Sequence, residues 1–224
     1  MTRVLMAEAT DFRGPMRVGS HALAGQFVAS GASVMWLGTP LYPHTLLRSR
    51  GAAHRIDVWK RGGLTTDGVT EYYPLTLLPV MNRPLLRSPA VATQTLHATC
   101  PPVSSVIKRH GFAHPDVLWL SASRFSYPLL RMVGARKRAY RMSDDWSAFP
   151  EVPRSLIDLE ARILDEVDAV FVTGRVLEAR VRARRPDVVY LPNGVDDAFF
   201  NVTPRDDARV APFPRPRVVF AGTL

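Results

Sequence analysis

Cysteine, lysine and long apolar runs are what this 224-residue sequence has least of. A single cysteine, Cys100, cannot close an internal disulfide, which excludes a disulfide-stapled secreted scaffold and fits a reducing, cytoplasmic setting. It precedes Pro101-Pro102 with no partner motif and is expected to be an inert packing thiol. No stretch reaches the roughly 18 uninterrupted apolar residues of a spanning helix, and the apolar run at the N-terminus is too short for a signal peptide. A cytoplasmic chain is expected, with peripheral contact at the inner membrane face as the one membrane role left open. Metal ligands are not grouped either. His110 and His114 lie four apart, but Gly111 and Pro115 keep them off one helical turn. Paired cysteines, a nucleophile elbow and a glycine-rich kinase loop are all missing.

Because Lys60, Lys108 and Lys137 are the only lysines, the net charge of +9 is almost entirely arginine. Arg131, Arg136, Lys137, Arg138 and Arg141 form one group without an acid among them, and Arg180, Arg182, Arg184 and Arg185 form another. Such groups attract phosphates, nucleic acid or anionic lipid, or are simply a solvated face. Apart from Tyr140, aromatic residues are not interleaved with them, which argues against nucleic acid.

What is present is an alternation of short apolar runs with helical stripes. Residues 3–7 suit a central parallel strand. A loop over 11–19 follows, then a helix capped by Ser20, with Leu23, Ala24, Phe27 and Val28 as its apolar face and Gly31 as its stop. Val34 to Leu37 completes a right-handed βαβ unit. In the middle, 56–59 and 69–73 read as strands between the Gly62-Gly63 and Asp67-Gly68 turns, and 91–111 reads as a helix broken near Pro101-Pro102. Strands follow at 117–120 and 138–142. Ser155 with Asp158 resembles a capping box opening a helix striped by Leu156, Leu159, Ile163, Leu164 and Val167. A strand at 169–172, a helix from about Arg175 to Arg184 and a strand at 188–191 complete the pattern. The expected fold is α/β: a Rossmann-like, doubly wound, mostly parallel sheet with helices on both faces, its ligands beyond the carboxyl ends of the strands. A first domain is expected over 1–202 and a Pro/Arg-rich linker over 203–216. The first strand of a further domain is expected over 217–224.

Two segments are candidates for chemistry. Gly14 to His21 has the glycine spacing of a P-loop but lacks the phosphate-binding lysine, and it is not the three-glycine dinucleotide fingerprint. It reads as a loop feeding a helix N-terminus, able to hold an anion through free amides, with Arg13, Arg17 and His21 where a ligand would lie. The alternative is a plain βα turn. Asp144-Asp145 follows a strand and so sits at the functional edge of the sheet, as a general base or hydroxyl-binding acid, or as a pair capping the next segment.

The order of Asp165-Glu166-Val167-Asp168-Ala169-Val170-Phe171-Val172-Thr173, Leu191-Pro192-Asn193-Gly194-Val195-Asp196 and Val218-Val219-Phe220-Ala221-Gly222-Thr223 resembles family-4 glycosyltransferases of the two-domain GT-B architecture. The opening βα loop and Gly31-Ala32-Ser33-Val34 fit the same resemblance. It implies an N-terminal acceptor lobe, a nucleotide-sugar donor held by a C-terminal lobe, transfer with retention of configuration, and neither cofactor nor metal. It also implies that Arg13, Gly14, Arg17, Gly19 and His21 face the acceptor, and that Asn193, Gly194 and Gly222 lie at the donor side or the interdomain crossing. Many members carry a histidine after the strand at 117–120. Here Ser121-Ala122-Ser123-Arg124 stands instead, which shifts the catalytic expectation to Asp144 and Asp145. A glycan or lipid-linked acceptor of the cell envelope or an exopolysaccharide is implied, with an anionic membrane surface as a further partner. Most of the donor lobe is missing from the sequence, so transfer by this polypeptide alone is not expected. The alternatives are a stand-alone glycan- or partner-binding module and a sugar-nucleotide epimerase of the same architecture.

Overall fold

Strand after strand in this chain is apolar on both faces, and the tertiary structure shows why. The computed structural model describes residues 1–48, 50–194, 201 and 212–214. The chain divides into a compact unit, Met1–Asn193, and a second, Gly194–Leu224, and every element below lies in the first. Apart from 212–214, the expected linker at 203–216 and strand at 217–224 lie outside the described residues, as does Gly222.

Among the described residues the strands are β1 (Arg3–Ala7), β2 (Ser33–Leu37), β3 (Leu64–Thr66), β4 (Val69–Tyr72), β5 (Leu75–Thr76), β6 (Thr99–Cys100), β7 (Val117–Ser121), β8 (Lys137–Met142), β9 (Ala169–Val172) and β10 (Val189–Tyr190). The helices are α1 (Gly19–Ala29), α2 (Pro43–Arg48), α3 (Ala53–Arg61), α4 (Pro89–Gln94), α5 (Val103–Arg109), α6 (Ser126–Met132), α7 (Arg154–Glu166) and α8 (Arg175–Arg182). Eight strands form one sheet in the order β10-β9-β8-β7-β1-β2-β4-β3, and β5 pairs with β6 alone. All neighbours in the large sheet are parallel except the β3–β4 hairpin.

Side chains of each strand alternate between two cores. Leu5, Ala7, Met35, Leu37, Leu118, Leu120, Tyr140 and Met142 face one way, against residues of α5, α6, α7 and α8 such as Ile107, Leu129, Ile163 and Val181. Val4, Met6, Val34, Trp36, Trp119 and Ala139 face the other way, against Leu23, Ala24, Phe27 and Val28 of α1. Trp119 stacks on Phe171 at 5.2 Å and meets the edge of Phe27 at 5.7 Å. Burying each large side chain contributes about 1.5–3 kcal/mol. A continuous apolar strand is thus the signature of a sheet covered on both sides, and the doubly wound α/β expectation holds.

Several local expectations are corrected. Residues 56–59 are helical, inside α3, although Ile, Val and Trp favour strands. Ala52, Ile56 and Trp59 recur at helical spacing toward Leu41, Tyr73 and Leu75, and Gly62 closes the helix at φ +70°. Residues 91–111 divide into α4 and α5, separated by β6. Ser20 is not the cap of α1: Val18 holds that position and Ser20 lies buried in the first turn. Ser155 likewise falls inside α7 behind Pro153, its hydroxyl buried without a partner, while Asp158 pairs with Arg154 at 3.1 Å. Cys100 is exposed rather than packed.

Candidate functional site

The chain leaves β1 through α1 to β2 on one side, and later returns to lay β7 on the other side of β1. Such a switch in winding direction opens a crevice at the carboxyl ends of the two strands. Glu8 is the first residue past β1 and Ser121 ends β7. The Ser121 hydroxyl donates to Glu8 Oε1 at 2.9 Å, directly across the switch point. Ser20, from the first turn of α1, donates to the same carboxyl. Glu8 is 2% exposed, and burial pushes its pKa from the usual 4.5 to about 7 despite the two hydroxyls and the attraction of Arg141.

Arg141, near the end of β8, is 4% exposed. Its Nη2 donates to Asn193 Oδ1, while Nε is buried without a hydrogen-bond partner. Burial draws the guanidinium pKa down, and the Glu8 and Asp144 carboxylates oppose that. Gly19 makes room for this arrangement: a β-carbon there would lie 2.6 Å from Asn193 Oδ1 and 2.7 Å from Arg141 Nη2. The crevice therefore holds a buried carboxyl poised near neutrality, a buried guanidinium and a helix N-terminus.

The structure thus unites Gly19 and Asn193 of the expected site with three residues that the sequence reading passed over, Glu8, Ser121 and Arg141. Glu8 did carry a signal, as an acid placed directly after an uninterrupted apolar strand. Arg141 was noticed only as one member of a basic group. The rest of the expected acceptor loop serves itself. Arg13 pairs with Glu71 at 3.3 Å, Gly14 turns back on the Asp11 carbonyl at 3.1 Å, and Arg17 donates to the Phe12 carbonyl at 3.1 Å. His21 is buried against Trp36 at 4.8 Å. Its Nδ1 accepts from the Val18 amide at 3.1 Å, which places the proton on Nε2, 3.2 Å from the Asp11 carbonyl. Both ring nitrogens are spent on shaping the loop.

Glu71, fully buried, anchors that loop from β4. It accepts from Tyr73 at 2.6 Å and contacts His54 at 3.0 Å, and the Tyr73 oxygen in turn accepts from the Phe12 amide at 2.9 Å. Asp11 meets Arg55 at 3.2 Å, and burial raises its pKa.

The two adjacent acids separate in role. Asp145 caps the 3-10 turn Trp146–Ala148, accepting from the Ser147 amide at 2.9 Å, and pairs with Arg180. The Ser147 hydroxyl and Arg180 hold its pKa below the usual range, which disfavours a proton-accepting role. Asp144 is exposed, accepts from the Ser143 hydroxyl at 2.8 Å, and acts electrostatically on Arg141 from the rim of the crevice. Gly194, exposed, opens the second unit.

The second arginine group is not a bare basic face: Arg180, Arg182, Arg184 and Arg185 pair with Asp145, Glu178, Asp165 and Asp187. In the first group Arg131 and Lys137 meet Glu166 and Asp168. Among the described residues, no three His, Cys, Asp or Glu side chains gather as metal ligands, and no helix is long and apolar enough to cross a membrane.

No protein-family profile matches the sequence, and no curated protein does. Solved structures do. The crystal structure of a UDP-glucose: anthocyanidin 3-O-glucosyltransferase in complex with UDP aligns over 93% of this chain and 56% of that one, with 11% identity and a TM-score of 0.52. A Glycyrrhiza uralensis enzyme, UGT73P12, complexed with glycyrrhetinic acid 3-O-monoglucuronide, aligns over 86% and 48%, with 10% identity and a TM-score of 0.42. The first match shows a GT-B glycosyltransferase-type fold. The chain spans about half the length of these structures.

Proposed function

We propose that this chain is the acceptor-side lobe of a nucleotide-sugar-dependent glycosyltransferase. The observation that carries the reading is the Glu8–Ser121 pair across the switch point, with Arg141 and the α1 N-terminus beside it. A carboxyl with a pKa near 7 can take the proton of an acceptor hydroxyl as that oxygen attacks the sugar. The bond from the anomeric carbon to the donor phosphate breaks, and the nucleotide leaves with the bonding pair. Ser20 and Ser121 hold the carboxyl in place, Asp144 binds further acceptor hydroxyls at the rim, and Arg141 with the α1 amides offsets negative charge in the crevice. A glycan or lipid-linked acceptor of the cell envelope or an exopolysaccharide, and the assignment to family 4, rest on the ordered sequence motifs.

Direct displacement assisted by Glu8 inverts the anomeric configuration, whereas the family-4 resemblance implies retention. The anomer of the product separates the two. The chain is assayed alone and mixed with a nucleotide-sugar-binding lobe, using UDP-, GDP- and dTDP-sugars with glycan acceptors, and nucleotide release is read. Glu8→Gln is expected to lower turnover about 100-fold or more. Unchanged turnover would remove Glu8 from the reaction. Acceptor binding without nucleotide release in any arm would favour a binding module, and sugar-nucleotide isomerisation without an acceptor would favour an epimerase.

A further inference from the structure

Past the carboxyl ends of β2 and β7 lies a second polar cluster that the Glu8 crevice does not use. Tyr42 precedes α2, and Arg55 stands in the first turn of α3. Leu41 and Ala52 share one buried apolar cluster, which draws those two segments together. The Leu41 carbonyl accepts from Thr76 N at 2.9 Å, at the start of the segment that runs on to Val80. Arg124, from the loop after β7, donates to the Val80 carbonyl and so reaches the same place. Both guanidiniums act electrostatically on the Tyr42 phenol.

The cluster is not self-satisfied. Glu71 is occupied by Tyr73, His54 and Arg13. Asp11 faces Arg55 Nε at 3.2 Å, yet out of line, so that buried Nε has no hydrogen-bond partner. Half-buried Arg124 meets no carboxylate among the described residues. The Tyr42 hydroxyl has no hydrogen-bond partner among them either. Burial raises the Tyr42 pKa, so the hydroxyl keeps its proton and can donate. Its ring stacks on His44 at 5.6 Å and remains partly exposed, a flat apolar face beside the two cations.

We infer that the acceptor is an acidic sugar, its carboxylate bound by Arg124 and the Tyr42 hydroxyl and its ring packed on Tyr42. This rests on the glycosyltransferase reading and names the acceptor class. A guanidinium fork matches a planar carboxylate with two parallel hydrogen bonds. A phosphate monoester brings a charge of nearly −2, which one uncompensated cation does not balance. Because β2 and β7 flank β1 in the sheet, the cluster borders Glu8 at the end of β1. The carboxylate is thus held to one side of the hydroxyl that Glu8 deprotonates.

The test is titration of the chain with methyl glucuronide, methyl glucoside and glucose 6-phosphate, followed by calorimetry. The glucuronide should bind about tenfold tighter than the glucoside, with the gap narrowing as salt rises. Arg124→Gln should weaken the glucuronide about tenfold and leave the glucoside unchanged. Arg124→Lys keeps the charge without the fork and should recover part of that loss. Tyr42→Phe should weaken the glucuronide about threefold. R182Q, in a paired group, should change nothing. Circular dichroism checks each fold, and Arg124→Lys with Tyr42→Phe decides the matter if Arg124→Gln unfolds. Equal affinity for glucuronide and glucoside, or Arg124 and Tyr42 variants that bind as well as the parent, would overturn the inference. Tighter binding of the sugar phosphate would overturn it too, making this a phosphate site. Glucuronide selectivity without sugar transfer would count against the function proposed above and leave the carboxylate site intact; transfer to neutral acceptors alone would do the reverse.

Discussion

Glu8→Gln should make this protein more stable above neutral pH while weakening its chemistry. The carboxyl is 2% exposed, and its pKa stands at about 7 against the usual 4.5 because burial penalises the charge. In the unfolded chain Glu8 ionises through about pH 4.5. In the folded chain it keeps its proton until about pH 7. Between those values the native state binds the extra proton, so stability falls as pH rises and levels off above pH 7. The difference corresponds to about 3 kcal/mol. Glutamine has nearly the same shape, can still accept from Ser121, and does not ionise. At pH 8 Glu8→Gln should therefore be more stable than the parent by up to about 3 kcal/mol, or about 6–12 °C in Tm for a unit of this size. At pH 4.5 the two should coincide. Urea melts of both proteins at pH 4.5, 6 and 8 measure this. No gain at pH 8, or an equal gain at pH 4.5, would refute both the burial argument and the assignment of a proton-accepting carboxyl to the crevice. A gain accompanied by lost turnover would identify Glu8 as a group kept for function at a cost in stability.

Gly19→Ala places a methyl group where Arg141 Nη2 and Asn193 Oδ1 now sit, and both are ends of side chains that can swing away. Turnover should fall about tenfold or more while Tm changes little, measured by nucleotide release and thermal melts. Asp145→Ala removes a cap and a half-exposed ion pair, so it should cost about 1 kcal/mol and leave turnover intact, whereas Asp144→Asn should lower turnover without a comparable loss of stability. Gly68→Ala combines φ +77° with a contact 2.6 Å from Val28 Cγ1 and should cost about 1–3 kcal/mol in chemical denaturation. Leu118→Ala, in the centre of the sheet, should cost about 2–5 kcal/mol in the same assay.

Much of the fold was legible because burial leaves its mark on sequence order. Val4 to Ala7, Val117 to Leu120 and Ala169 to Val172 are apolar on consecutive positions, and only a strand covered on both sides requires that. The stripe of α7 at helical spacing was equally plain, with Leu156, Leu159 and Ile163 all buried. The errors fell where local preference and tertiary burial disagree. Ile56 to Trp59 look like a strand by residue type, yet Val58 packs under Tyr73 from a helix. Ser20 and Ser155 look like caps, yet each sits inside its helix, and Ser20 turns its hydroxyl to Glu8.

The site was legible only in part, for a different reason. Sequence by itself determined that a doubly wound sheet would present its strand ends to a ligand, and that a glycine-bearing loop would lead into α1 there. Only the tertiary structure decided which polar residues meet at those ends. Glu8 and Ser121 are 113 residues apart and join because β7 pairs beside β1, and Arg141 and Asn193 are 52 apart and join across the ends of β8 and β10. Strand order sets those meetings, and no local spacing encodes it. The scarcity of lysine noted at the outset likewise acquired its meaning in three dimensions. The three arginines of α8 are all matched by nearby carboxylates, while Arg83 and Arg87 have none among the described residues, because folding alone determines which charges are brought within reach of an opposite one.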